Sequence, residues 1–356
     1  MVRLFALICA AAVALAGCTG GAGGGPEPSP STPEADPSPS ASPTASATAS
    51  APATEPVETP SPAPLSSTQW TPLSPAPQAL TEVAAAAVGG DIWVVGGLGA
   101  DGEAVDTVQI YTPAFDSWQE GPPLPEAVHH ASLVAAGDQV LLVGGYAGSG
   151  FDRPTASVQR FDLATGAWEP GAALPEARAA GAAAWDGARV VYAGGVGPNG
   201  LADDVFALQD GAWERVGALN EPREHLAAAS DAQGRVWAMG GRTGSLDANL
   251  ASVELIEGDQ ISAVGEMPTA RGGVAGFWAP QPGACLVGGE QPASTLAEVE
   301  CIGADGAITA LPQLSQPRHG LGAAVVDGIA YVLLGGPQPR LSVSDAVEAL
   351  LLEASG

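Results

Sequence analysis

The chain has 356 residues and is strongly acidic, since 39 Asp and Glu stand against 12 basic residues, all of them Arg, for a formal net charge of −27. Phosphate binding needs clustered cations, so this balance excludes nucleic acid as a partner, and the surplus acid reads first as a solubility device. The length would suit two average domains or one repeat fold.

Residues 1–17 read as a secretory signal. Arg3 gives the positive start and Leu4–Ala16 is an unbroken apolar run of thirteen residues. That run falls short of the roughly 20 residues needed to span a bilayer. It ends in Leu15-Ala16-Gly17-Cys18, which resembles a bacterial lipobox. The resemblance implies cleavage before Cys18, acylation of its thiol, loss of Cys9 with the leader, and a membrane lipoprotein facing the extracytoplasmic side. Residues 18–66 are rich in Pro, Ser, Thr and Ala, with acidic charges alone. Such a segment has almost nothing to bury, so we expect a disordered, semi-rigid tether.

Residues 67–356 carry a repeat. A short apolar run closing on Gly-Gly occurs at Val94–Gly97, Leu142–Gly145, Tyr192–Gly195, Ala238–Gly241, Leu286–Gly289 and Leu333–Gly336. Each unit reads as four strands. In the second unit the expected strands are Ala131–Ala136, Gln139–Val143, Val158–Phe161 and a fourth around Trp168. Gly-Asp and Asp-Gly pairs at Gly90-Asp91, Gly137-Asp138, Asp186-Gly187 and Asp327-Gly328 are hairpin links. A third-strand apolar residue keeps register with a later Trp or Ile, as Tyr111 with Trp118, Phe161 with Trp168, Leu208 with Trp213, Ile256 with Ile261 and Ile302 with Ile308. First strands such as Ala84–Val88 favour helix by propensity but are too short for one. Their small side chains suit strands crowded around an axis.

This pattern, with Leu/Met-Pro-x-x-Arg opening the next unit, resembles the kelch repeat, and the resemblance covers roughly residues 68–356. It implies an all-β fold, a six-bladed β-propeller with one four-stranded blade per unit. The last unit ends on a third strand at Val347–Leu350, and Gln69–Leu73 supplies the missing fourth, so the N-terminal strand is expected to close the ring. In the fifth blade, if Gly288 faces Glu298, Cys285 falls opposite Cys301, within disulfide reach. An oxidising compartment favours that bond.

The loops entering first strands and leaving second strands emerge on one face. They carry His129, His130, Arg178, Arg223, His225, Arg271, Arg318 and His319 in the first class, and Arg153, Arg242 and Arg340 in the second. In kelch proteins this face commonly binds partners. The expected ligand site is therefore this face, with His129, His130, Arg178, Arg223, His225, Arg242, Arg271, Arg318 and His319 as candidates. The expected partner is an extracytoplasmic protein or a polar, anionic saccharide, because Arg forks suit carboxylates. The bland reading of Leu-Pro-x-x-Arg is a framework arginine paired with a loop acid such as Glu176, Glu224, Asp247 or Glu290. A histidine metal site is not expected. His319 lies one residue past the Arg position and His225 two, and alternate strand residues point to opposite faces. Neither Gly-x-Ser-x-Gly nor a phosphate loop occurs. Some kelch propellers are copper oxidases built on a Cys–Tyr pair, but the thiols here are otherwise explained and Tyr is scarce. Others are six-bladed sialic acid mutarotases of the cell envelope, which leaves a sugar isomerase as the alternative to a binding module. No cofactor is expected, and the chain reads as a monomer.

Overall fold

The computed structural model describes residues 64–352. The expected signal peptide, Cys18 and the expected tether up to residue 63 lie outside the described residues. Among the described residues the repeats form six four-stranded antiparallel sheets. Blade 1 comprises Ala84–Val88, Asp91–Val95, Val108–Thr112 and Ser117–Glu120. Blade 2 comprises Ser132–Ala136, Gln139–Val143, Val158–Asp162 and Ala167–Pro170, close to the bounds expected for that unit. The inner strands of blades 3, 4 and 5 are Ala182–Trp185, Ala227–Ser230 and Ala275–Ala279. Blade 6 takes Gly322–Val326, Ile329–Leu333 and Val347–Leu351 from the end of the chain and Thr71–Pro72 from its start. Thr71 pairs with Ala349 and Pro72 with Glu348, which closes the ring as the repeat count requires.

The inner strands adjoin one another in a circle, blade 1 against blades 2 and 6. The core is accordingly divided into six apolar clusters, one in each gap between neighbouring blades. Strand alternation feeds two gaps from one strand. In blade 2, Val140 and Leu142 join the cluster shared with blade 1, and Leu141 and Val143 join the one shared with blade 3. A strand buried on both faces reads as a continuous apolar run, which is why QVLLV and IAYVL show no alternation.

The register markers have a physical role. Tyr111 faces Trp118, Phe161 faces Trp168 and Leu208 faces Trp213 across the outer strand pair. Each indole then donates to a carbonyl in the link from the preceding blade: Trp118 to Ser74, Trp168 to Pro122 and Trp213 to Ala172. Trp70, on the closing strand, does the same to Pro312 at 2.8 Å. Gly145 shows why the glycine pair ends each second strand. Its φ is +103°, and a Cβ there would come within 2.8 Å of the His129 carbonyl oxygen and 2.9 Å of Ala131 Cβ. The last unit departs from the expected alignment. Leu334 (φ +58°) and Gly335 (φ +94°), not Gly335 and Gly336, hold the two left-handed positions, and the Gly335 N–H donates to the Leu80 carbonyl as Gly145 does to Arg178. Cys285 faces Cys301 in the expected register, with the sulfurs 2.07 Å apart.

Candidate functional site: the mouth of the central channel

Two residues past the Leu-Pro-x-x-Arg position, each blade places one residue at the channel axis: Glu82, His130, Ala180, His225, Gly273 and Gly320 in blades 1 to 6. All six have left-handed φ, between +53° and +68°. Their peptide groups join neighbouring blades. His130 N–H donates to Glu82 C=O, Ala180 to His130, His225 to Ala180, Gly273 to His225 and Gly320 to Gly273, at 2.7 to 3.2 Å. Val83 N–H closes the circuit onto Gly320 C=O at 3.3 Å. The residue before each ring position pairs with the loop after the second strand, as Glu224 with Arg242 and Gly272 with Glu290. The two loop classes therefore share one face.

The left-handed turn overrides the phase argument made from the sequence. Alternation holds along a strand, and these residues are not in one. Glu82 and three of the four histidines converge. His130 Nε2 lies 3.1 Å from Glu82 Oε2, and His319 Nδ1 lies 3.2 Å from Glu82 Oε1. The His130 and His225 rings meet edge to face with centroids 4.7 Å apart. His129 sits behind them, fully buried, with Nδ1 at 2.5 Å from His130 Nδ1 and Nε2 at 3.3 Å from the Gly150 carbonyl. His129 thus stands between His130 and the Gly150 carbonyl, and His130 between His129 and Glu82.

Charge is arranged around this cluster. Burial pushes the His130 pKa well down, against the pull of Glu82, and also lowers that of His129. Burial would raise Glu82, but His130 and His319 outweigh it and hold the carboxyl well below its ordinary value. Burial likewise opposes charge on His319, yet Glu82 and Glu290 leave its pKa raised. Arg242 bridges Glu224 Oε1 at 3.0 Å and Glu290 Oε1 at 2.9 Å, and its Nη2 donates to His225 Nε2 at 2.9 Å. Glu224 is held down at about 2; burial raises it, and His225 and Arg242 prevail.

Above this floor opens a cavity of about 410 Å³, walled by Leu98, Phe151, Leu246 and Leu341. Of the sequence candidates, His130, His225, Arg242 and His319 line it. Arg178, Arg223, Arg271 and Arg318 do not. They are buried inside their blades, where Arg223 holds Glu254, Arg271 holds Glu300 and Arg318 holds Glu348, each at 2.7 Å. Arg178 lies over the Phe206 ring and reaches Glu176 and Asp204. Glu176 is thus a loop acid paired as the framework reading expects, whereas the other three arginines take third-strand acids. Glu82, Glu290 and Phe151 belong to the cavity and were not among the candidates. Glu82 was findable from its register with His130 and His225.

A family model for the Kelch motif matches residues 79–125 and 127–175, which contain blades 1 and 2. Kelch-like protein 35 of Mus musculus is 40% identical over 55 residues, covering 15% of this chain and 9% of that protein. With the same antiparallel four-strand order in all six blades, the molecule is a kelch-repeat β-propeller, a class that typically binds proteins.

Proposed function

We propose that this chain is an extracytoplasmic binding propeller, held to a membrane by lipid on Cys18 and set off from it by the tether, whose partner is a protein seated on the channel mouth. The leader supports the anchor, since an apolar run of thirteen residues ends in Leu15-Ala16-Gly17-Cys18. No helix among the described residues is long and apolar enough to cross a membrane. The observation that carries the partner reading is the cavity rim. Phe151 is 61% exposed and Leu341 49% exposed, both beside a concave, partly charged floor. Exposed aromatic and aliphatic side chains around a pocket are what a partner side chain would bury. Exposed Arg340 lines the same cavity, without a salt bridge among the described residues, and favours an acidic partner group or the carboxylate of a saccharide.

The test places a photo-crosslinking phenylalanine analogue at Phe151 in the full chain in cells, with Asp327 on the opposite face as control. The expected result is a discrete protein adduct from position 151 alone, together with release of the Cys18→Ser chain from the membrane fraction. Equal labelling from both faces would remove the partner reading. Membrane retention of Cys18→Ser would remove the anchor.

A further inference from the structure

We propose that Glu82, His130 and His225 form a binding site for one divalent transition ion of the zinc type, at the floor of the mouth cavity. One ligand atom from each of the three lies within 4.8 Å of the others, the spread expected of groups that can close on a single ion. Two imidazole nitrogens and one carboxylate oxygen are the donor set of open sites for borderline divalent metals, with three protein ligands and further positions left to water or a ligand. The open side here is the cavity, since all three residues line it. A smaller space of about 70 Å³ continues beneath the same three residues.

The donor atoms are also close together before any ion is added. His130 Nε2 and Glu82 Oε2 stand 3.1 Å apart, so two of the three donor atoms already face each other across one small gap. Glu224 Oε2 lies 3.2 Å from His225 Nδ1, the outer carboxylate that a ligating imidazole commonly has. His319 Nδ1 lies 3.2 Å from Glu82 Oε1, so a further imidazole bears on the same carboxylate. His319 Nε2 donates to the Arg340 carbonyl at 2.7 Å, which fixes that ring beside Glu82.

Arg242 is the competing cation. Its Nη2 donates to His225 Nε2, so an ion ligated there must displace it. Arg242 keeps Glu224 and Glu290 when it withdraws, so the exchange strands neither group. Metal occupancy and the position of Arg242 are thereby linked, and Arg242 lines the cavity.

The test uses the full chain in detergent, stripped with chelator and titrated with Zn²⁺, Co²⁺ and Cu²⁺ separately. Equilibrium dialysis is expected to give one equivalent of Zn²⁺, and pulsed EPR of the Cu²⁺ form should show coupling to imidazole nitrogen. His130→Ala, His225→Ala and Glu82→Gln should each weaken Zn²⁺ by more than the ~10–100-fold that loss of an outer partner costs. Arg242→Gln should strengthen it, by roughly tenfold or more, because a competing positive charge is gone. Absence of stoichiometric Zn²⁺, absence of imidazole coupling, or unchanged affinity in the ligand variants would overturn the site. Where a variant does not fold, the wild-type Cu²⁺ spectrum decides. These readouts need no partner, so their failure is distinct from failure of the partner reading.

Discussion

Arg271 is fully buried, and its guanidinium bonds Glu300 Oε2 at 2.7 Å and the Leu286 carbonyl at 2.9 Å. The pair is a framework device, and the chain contains its own control. At the Arg position blades 1 and 2 carry Leu80 and Val128, and at the acid position they carry Gln109 and Gln159. Those amides bond the backbone of Gln78 and Glu126, as Glu300 bonds Thr269. The cation and the charged acid are thus lost together, and the neutral acceptor keeps the loop contact. Removing one partner of a buried ion pair strands the other, at a cost of about 3–5 kcal/mol, whereas replacing both is often neutral. Arg271→Leu should therefore lose about 3–5 kcal/mol in urea unfolding. Arg271→Leu with Glu300→Gln, which copies blade 1, should return to within about 1 kcal/mol of wild type. An unrepaired double variant would show that the arginine does more than neutralise Glu300.

A blade is the element that the sequence encodes locally, and this decides what was legible. Strand order, hairpin links and the facing of Cys285 and Cys301 follow from markers within one unit, and closure by the N-terminal strand follows from counting units to the incomplete last one. The shape of the axial ring was not legible, because Glu82, His130 and His225 take positive φ, which their residue types do not favour. Only Gly273 and Gly320, at the same position, hinted at it. The Leu-Leu-Gly-Gly string hid a slip of one residue for the same reason, since Leu334 takes a conformation its sequence does not favour. The closing strand rests on few groups, chiefly Trp70, which is 4% exposed in the cluster between blades 5 and 6. Trp70→Ala should cost about 3–5 kcal/mol and leave Val347–Leu351 as a free edge prone to association. Phe115→Ala, at a side chain 80% exposed, should stay within about 0.5 kcal/mol. Urea melts and size exclusion read both. Equal effects would mean that the N-terminal strand is not the closure.

At the scale of the molecule, six blades whose contacts are mostly with their neighbours are held as a circle by two features, the shared strand pair of blade 6 and the axial ring of peptide hydrogen bonds. The ring crosses every gap between blades once, including the one between blades 6 and 1 through Val83 and Gly320. No single bond in it can open far while both neighbours stay docked, because each donor residue is also the acceptor for the next blade, up to the closing step at Val83. The ring also sets the spacing of Glu82, His130 and His225, so the floor of the cavity is as rigid as the closure itself. Local opening free energies in a protein range from near zero at frayed ends to the global value in its most cooperative parts. The amides of His130, Ala180, His225, Gly273, Gly320 and Val83 should therefore exchange with solvent as one set, in the slowest class, with a common free energy equal to that of global unfolding. Hydrogen exchange resolved by residue measures this directly. Deleting residues up to Pro72 should speed all six together, because the circle is then open at blade 6. Six unrelated rates, or ring amides faster than those of the second strands, would mean that the blades separate one at a time and that the channel mouth is set by side chains alone.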